Sequence, residues 1–262
     1  MTARSRCPLS RPARRLVAAT WLCVVALTLG SVAAAAPSRS GEGAAPATAA
    51  PPDVATKPTL DTMLARFAKM PGLSARFHEE KKIALLAVPL ESDGEILFAP
   101  PDVLVRRVTA PVPSVAKIAA GQLTLVSGGK REQIDLAQNA VVRGFIEAFQ
   151  YVLAGDRQAL ERTFRLRFEA SPASAGDGPR GAGDERWAWR LELRPKGAPL
   201  DQFLSTLVLE GHGRIVQSMR MVEASGDVTT TTFSEVDTDK RWTPAERARR
   251  FSTDEPTAAT GG

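Results

Sequence analysis

Few side chains in this 262-residue chain are placed for covalent chemistry. Its two cysteines, Cys7 and Cys23, lie close to the N-terminus, and its two histidines, His78 and His212, stand far apart. Zinc sites draw three or four ligands from His, Cys and carboxylates at short spacings, which two isolated histidines do not supply. His78 falls at an outward position of an alternating segment, and Gly211-His212-Gly213 reads as a turn. Val126-Ser127-Gly128-Gly129-Lys130 contains Gly and Lys, but its spacing is that of a hairpin turn, not of a phosphate-cradling loop before a helix. No Gly-x-Ser-x-Gly elbow is present. Acidic residues are frequent without forming an obvious pair, and nothing favours a glycosidase with two carboxylates on distant strands. The expectation is a protein that is not an enzyme, with no catalytic residue, metal or cofactor.

The charge balance removes a second class. Lys and Arg number 34 against 29 Asp and Glu, a net charge of +5. Arg4, Arg6, Arg11, Arg14 and Arg15 all precede residue 16, and no acid accompanies them. Without these five arginines, the remaining 29 bases face 29 acids. A broad basic face for nucleic acid is therefore not expected. The arginines introduce an apolar run, Leu16 to Leu29, and then the small residues Ser31-Val32-Ala33-Ala34-Ala35-Ala36. This is the layout of a secretory signal peptide over 1–35, cut near Ala35, with the periplasm as destination. An uncleaved anchor over Leu16–Ala36 is the alternative. Arg14-Arg15 has poor surroundings for a twin-arginine route. Cys23 follows Thr20-Trp21-Leu22 inside the apolar run, so it is not a lipidation site. Both cysteines leave with the leader, and the mature chain holds neither disulfide nor thiol nucleophile.

Beyond the leader, residues 36–58 are rich in Pro, Ala, Gly and Ser and read as a disordered linker. Residues 251–262 read as a disordered tail, which leaves a domain over 59–250. Thr59 can cap a helix bearing Leu60, Met63, Leu64 and Phe67, with Pro71 as its stop. The period then changes to two. Leu73, Ala75 and Phe77 alternate with Ser74, Arg76 and His78, the pattern of a half-buried strand. Short strands follow around Ile96–Phe98, Leu104–Val108, Lys117–Ala119, Leu123–Val126 and Gln133–Leu136. Asn139 caps a helix that Gly155 ends, and Asp156 caps a shorter one to Thr163. Strands resume at Phe164–Phe168, Trp187–Leu193, Ser205–Leu209, Ile215–Val222 and Val228–Val236, with a Gly/Ala/Ser-rich loop over 171–184. Roughly ten strands with one helical insertion imply a single antiparallel sheet, strongly curved, with helices on one side.

The informative feature is apolar excess. The helix after Asn139 is apolar over more than one narrow stripe, as either a core helix or a lid over an apolar cavity would be. One strand face collects Phe, Trp, Leu and Met while the other collects Arg and Glu. Met219 and Met221 share a strand, where they can serve as core or as adaptable cavity lining.

This string of elements resembles LolA, the periplasmic outer-membrane lipoprotein carrier family. Leu64-x-x-Phe67 followed by Ala75-Arg76-Phe77-His78-Glu79 is similar to the family's first helix and strand. Gly94-Glu95-Ile96-Leu97-Phe98-x-x-Pro101-Asp102-Val103-Leu104 is similar to its G-x-L-x-V/F-x-x-P-N-L-F stretch. Leu193-Arg194-Pro195-Lys196, Leu200-x-x-Phe203 and Gly213-Arg214-Ile215 are similar to its last third. Pro100 stands where the family carries an arginine concerned with lid closure, so that latch does not carry over, and the branch is a divergent one.

The resemblance implies a mainly β (α+β) fold. It would be an unclosed antiparallel barrel of about eleven strands with an N-terminal helix and a helical lid. It further implies a monomeric periplasmic carrier or chaperone that holds acyl chains of a lipoprotein or related lipidic cargo. An inner-membrane exporter would be the donor and an outer-membrane protein the acceptor. Alternation then nominates the linings of cavity and lid. On the strands before the helical insertion these are Phe77, Ile96, Phe98 and Leu125. On the helix they are Phe145, Phe149 and Val152. On the later strands they are Leu166, Trp189, Leu191, Leu209, Met219 and Phe233. A one-residue slip would turn a whole set outward. Other readings are an envelope regulatory or sensor domain of the same fold, a carrier of a glycolipid or polyene lipid, and a periplasmic lipid-ester hydrolase.

Overall fold

The computed structural model describes residues 57–172 and 187–254. The expected leader with its cleavage point, nearly all of the linker, the loop over 173–184 and residues 255–262 lie outside them. The chain begins with α1 (Leu60–Phe67), then six strands: β1 (Leu73–Lys82), β2 (Leu90–Ala99), β3 (Val103–Ala110), β4 (Ser114–Ala119), β5 (Gln122–Ser127) and β6 (Lys130–Asp135). Two helices follow, α2 (Ala140–Ala154) and α3 (Arg157–Thr163). Five more strands complete the sheet: β7 (Phe164–Pro172), β8 (Trp187–Pro195), β9 (Leu204–His212), β10 (Ile215–Glu223) and β11 (Val228–Asp237). A last helix, α4 (Pro244–Arg250), ends the described chain. All eleven strands form one antiparallel sheet, in the order β6-β5-β4-β3-β2-β1-β11-β10-β9-β8-β7. β6 and β7 do not pair, so the sheet is unclosed, and β1 joins its halves by pairing with β2 and β11.

Local chemistry sets the helix ends. Thr59 caps α1 by accepting from the Thr62 amide, and Asn139 and Asp156 cap α2 and α3 in the same way. Gly155 ends α2 at φ 69°, a left-handed conformation that suits glycine. Register shifts interrupt the β1–β11, β2–β3 and β9–β10 ladders, where an extra residue in one strand bends it and increases its twist.

Helices α1 and α2 pack on one face of the sheet, the inner face. Two apolar clusters lie there. The larger joins Phe67 of α1 and Val152 of α2 to Trp189, Leu191, Leu207 and Met221. The smaller joins Val142 and Ile146 of α2 to Phe98, Leu104, Ile118 and Leu123. Because α2 meets both halves of the sheet, it is apolar on more than one stripe. At about 25 cal/mol per Å² of apolar surface removed from water, burial of this kind supplies most of the fold's stability in a region without cysteine.

The outer face departs from the expectation of helices on one side only. Leu97, Ala99, Val105 and Val115 point outward and are nonetheless buried, under Trp242 and Phe251 of the C-terminal segment. Phe251, just past the expected domain end, has its ring edge-on to Trp242, with centroids 5.0 Å apart. The Trp242 indole donates to the Phe98 carbonyl at 2.8 Å. Arg107 and Arg250 both reach Glu95, at 2.8 and 2.6 Å. Thr243 and Glu246 form a capping box that starts α4, with Pro244 at its first turn.

Candidate functional site

Strand register fixes which side chains share the inner face. Ala75 of β1 faces Ile96 of β2, Phe77 faces Phe233 of β11, and Met219 of β10 faces Leu209 of β9. Leu209 in turn faces Leu191 of β8, and Leu191 faces Phe168 of β7. Following the alternation, the ten nominated strand residues all fall on the inner face, so the strand phase carries no slip.

Between this face and α2 lies a cavity of about 70 Å³. Of the nominated residues, Ile96, Phe149, Val152, Leu209, Met219 and Phe233 line it. Of the other seven, six lie elsewhere on the inner face and Phe145 lies on α2. Trp189 and Leu191 are core, the Trp189 ring standing edge-on to Phe67 at 5.9 Å. Phe145 packs beside Phe149 at 5.9 Å, and Leu166 packs against the larger cluster. Phe98 and Leu125 belong with the smaller cluster. Phe77 is buried beneath the Arg106 guanidinium, 4.3 Å from its ring centre. The nominations left out nine further linings: Phe67, Met70, Leu73, Ala75, Leu104, Leu153, Arg214, Val216 and Val236. Leu73 and Ala75 share the phase of Phe77 in the alternation read over β1 and could have been nominated with it. Phe67 and Met70 arrive with α1, whose docking site no local pattern reveals.

Fourteen of the fifteen lining residues are apolar; the exception is Arg214, whose guanidinium donates to Asp239 at 2.8 Å. Long basic side chains line apolar space with their stems and keep the charge outside. A cavity of this size has room for a fragment of hydrocarbon. Burial raises the pKa of Tyr151 on α2, and the neighbouring Glu147 adds to the shift.

Beyond Phe77 and Phe233, the inner face turns polar. Glu79 accepts from Arg106 at 2.9 Å and from the Thr231 hydroxyl at 3.0 Å. One row further, Lys81 pairs with Glu223 at 2.6 Å. Glu79 and Lys81 are buried, and their partners supply the compensating charge that burial requires. This ionic row borders the cavity, since Arg106 faces Ile96 and Thr231 faces Met219 across the ladder.

Neither histidine joins a constellation. His78 is exposed and bonded to Asp93 at 2.9 Å, and that hydrogen bond raises its pKa. His212 ends β9 with a buried side chain, and the turn begins at Gly213. Among the described residues no three His, Cys, Asp or Glu side chains gather as metal ligands, and no helix is long and apolar enough to cross a membrane.

The chain is similar in fold to a LolA superfamily protein from Nitrosomonas europaea, at 12% identity and a TM-score of 0.39, over 72% of this chain and 96% of that one. It is also similar to the lipoprotein LppX of Mycobacterium tuberculosis, at 10% identity and a TM-score of 0.34, over 68% and 94%. A third likeness is to the MucA/MucB complex of Pseudomonas aeruginosa, at 17% identity and a TM-score of 0.41, over 71% and 59%. No curated protein matches the chain. The model of one family, described as outer membrane lipoprotein carrier protein LolA-like, matches residues 49–253, and the chain belongs to that family.

Proposed function

We propose that this protein is a periplasmic carrier that holds an acyl chain of a lipoprotein or related lipid between α2 and the inner face of the sheet. The observation that carries the reading is the cavity itself, with fourteen apolar linings and one arginine, roofed by α2. Membership of the lipoprotein-carrier family supports it. Binding of this kind is not enzymatic and needs only apolar surface kept from water. Burying a chain of about 15 methylenes contributes on the order of 12 kcal/mol, at about 0.8 kcal/mol each. A bilayer offers the same burial, so transfer is close to balanced. Direction then follows from unequal affinities of an inner-membrane donor, the carrier and an outer-membrane acceptor.

The narrowness of the cavity suits this role. A wide permanent void would cost stability, at about 24 cal/mol per Å³. Cargo that lifts α2 replaces the lost helix contacts with its own. The test is to purify the chain without detergent and examine it by native mass spectrometry and lipid extraction. One acylated molecule per chain is expected. Recovery of none, with no uptake of a fluorescent fatty acid, would overturn the proposal.

A further inference from the structure

The hairpin joining β1 to β2 runs Ile83-Ala84-Leu85-Leu86-Ala87-Val88-Pro89-Leu90, eight residues without one polar side chain. Turns ordinarily draw on Gly, Asn, Asp and Ser. Leu85 is 95% exposed, Val88 71% and Leu86 44%, so the fold gains no core from them. The other large apolar side chain standing exposed among the described residues is Phe203, at 45%. Hydrogen bonds bring it to the same end of the sheet. The Ala84 amide donates to the Asp227 carboxylate at 3.1 Å, and Asp227 belongs to the β10–β11 turn. Ala224 of that turn donates to the Phe203 carbonyl at 3.0 Å. Three connections thus form one apolar end, and grouped exposure of this sort marks a contact surface.

From this geometry we infer that the β1–β2 hairpin is a membrane-docking tip, which seats its leucines and valine in the hydrocarbon boundary of a lipid bilayer. The chemistry favours lipid over a protein partner. Protein interfaces ring an apolar centre with donors and acceptors that fix register. This tip carries aliphatic side chains only, and hydrocarbon asks for nothing else. Two of its amides are bonded within the protein, that of Leu86 to the Ile83 carbonyl at 2.9 Å and that of Ala84 to Asp227. Each such bond lowers the cost of bringing backbone to the bilayer boundary. Charges just behind the tip have both signs. Lys82 pairs with Glu80 at 2.9 Å, and Glu91 and Asp227 flank it. Docking therefore needs no anionic lipid and persists in high salt. It is independent of whether the cavity binds acyl chains.

Amide hydrogen exchange on the full chain, with and without phosphatidylcholine vesicles, tests the inference. Peptides covering 83–90 are expected to exchange at least fivefold more slowly with vesicles, in low and high salt alike. The doubly substituted Leu85→Ser/Val88→Ser chain should lose this slowing and keep its unfolding midpoint, because neither side chain is buried. Unchanged exchange at 83–90 would overturn the inference, even if other segments bind the vesicles. Slowing that persists in the variant would also overturn it. So would slowing that needs no vesicles and grows with protein concentration, which would make the tip a contact between copies of the chain.

Discussion

Gly94 of β2 lies directly beneath the ring of Phe77 on β1. A Cβ built on Gly94 would stand 2.6 Å from the Phe77 Cζ and would also collide with the Arg107 carbonyl of β3. The two residues face each other across the ladder, so the bare backbone at 94 leaves room for the aromatic ring beside the ion pair of Arg106 and Glu79.

Gly94→Ala should therefore destabilise the fold by about 1–3 kcal/mol, the usual cost of overpacking, because a strand carbonyl cannot move aside. Urea unfolding monitored by circular dichroism measures this. A shift within error of zero would mean that β2 and β3 separate freely at this point.

The Arg106–Glu79 pair makes a sharper prediction. Glu79→Leu strands a partly buried guanidinium and should cost about 3 kcal/mol. The double variant Glu79→Leu/Arg106→Leu should recover most of that loss, since an apolar pair of similar size suits the inner face. If the double variant is as unstable as the single one, the bond from Thr231 to Glu79 matters more than the pair.

The C-terminal segment should respond to acid. Hydrogen bonds from the Thr243 amide and hydroxyl, with Lys240 at 3.2 Å, hold the Glu246 pKa at about 2 instead of 4.5. A carboxylate depressed on folding stabilises fully above its unfolded value and loses that contribution as pH falls towards its folded one. The hold of α4 on the outer face should weaken between pH 4.5 and about 2. The Trp242 indole proton, bonded to Phe98, reports this by NMR. Glu246→Gln should remove that titration.

Much of the inner face is legible from sequence because a strand's period of two is local. Ile96 and Phe98, or Leu209 and Met219, declare their side without knowledge of their partners. Leu97 does not, because it occupies the polar phase of β2 and is buried by Trp242 and Phe251, about 145 and more residues away. Glu79 falls in the inward phase of β1, but only β3, by bringing Arg106 to it, shows how its charge is compensated there. Phe67 and Met70 enter the cavity only through the docking of α1. Long-range pairings of this kind leave no mark in a window of ten residues. The cap residues Thr59, Asn139, Gly155 and Asp156 act within one turn and are read directly.

The account's central claim is that α2 is a movable roof over an acyl site. Titration of a dansyl-labelled fatty acid into the wild-type chain and the Phe149→Asp variant tests it most directly. The account predicts saturable uptake of one molecule per wild-type chain, at least tenfold weaker in the variant, with little change in unfolding midpoint because Phe149 is only partly buried. Uptake by Phe149→Asp equal to that of the wild type would contradict it.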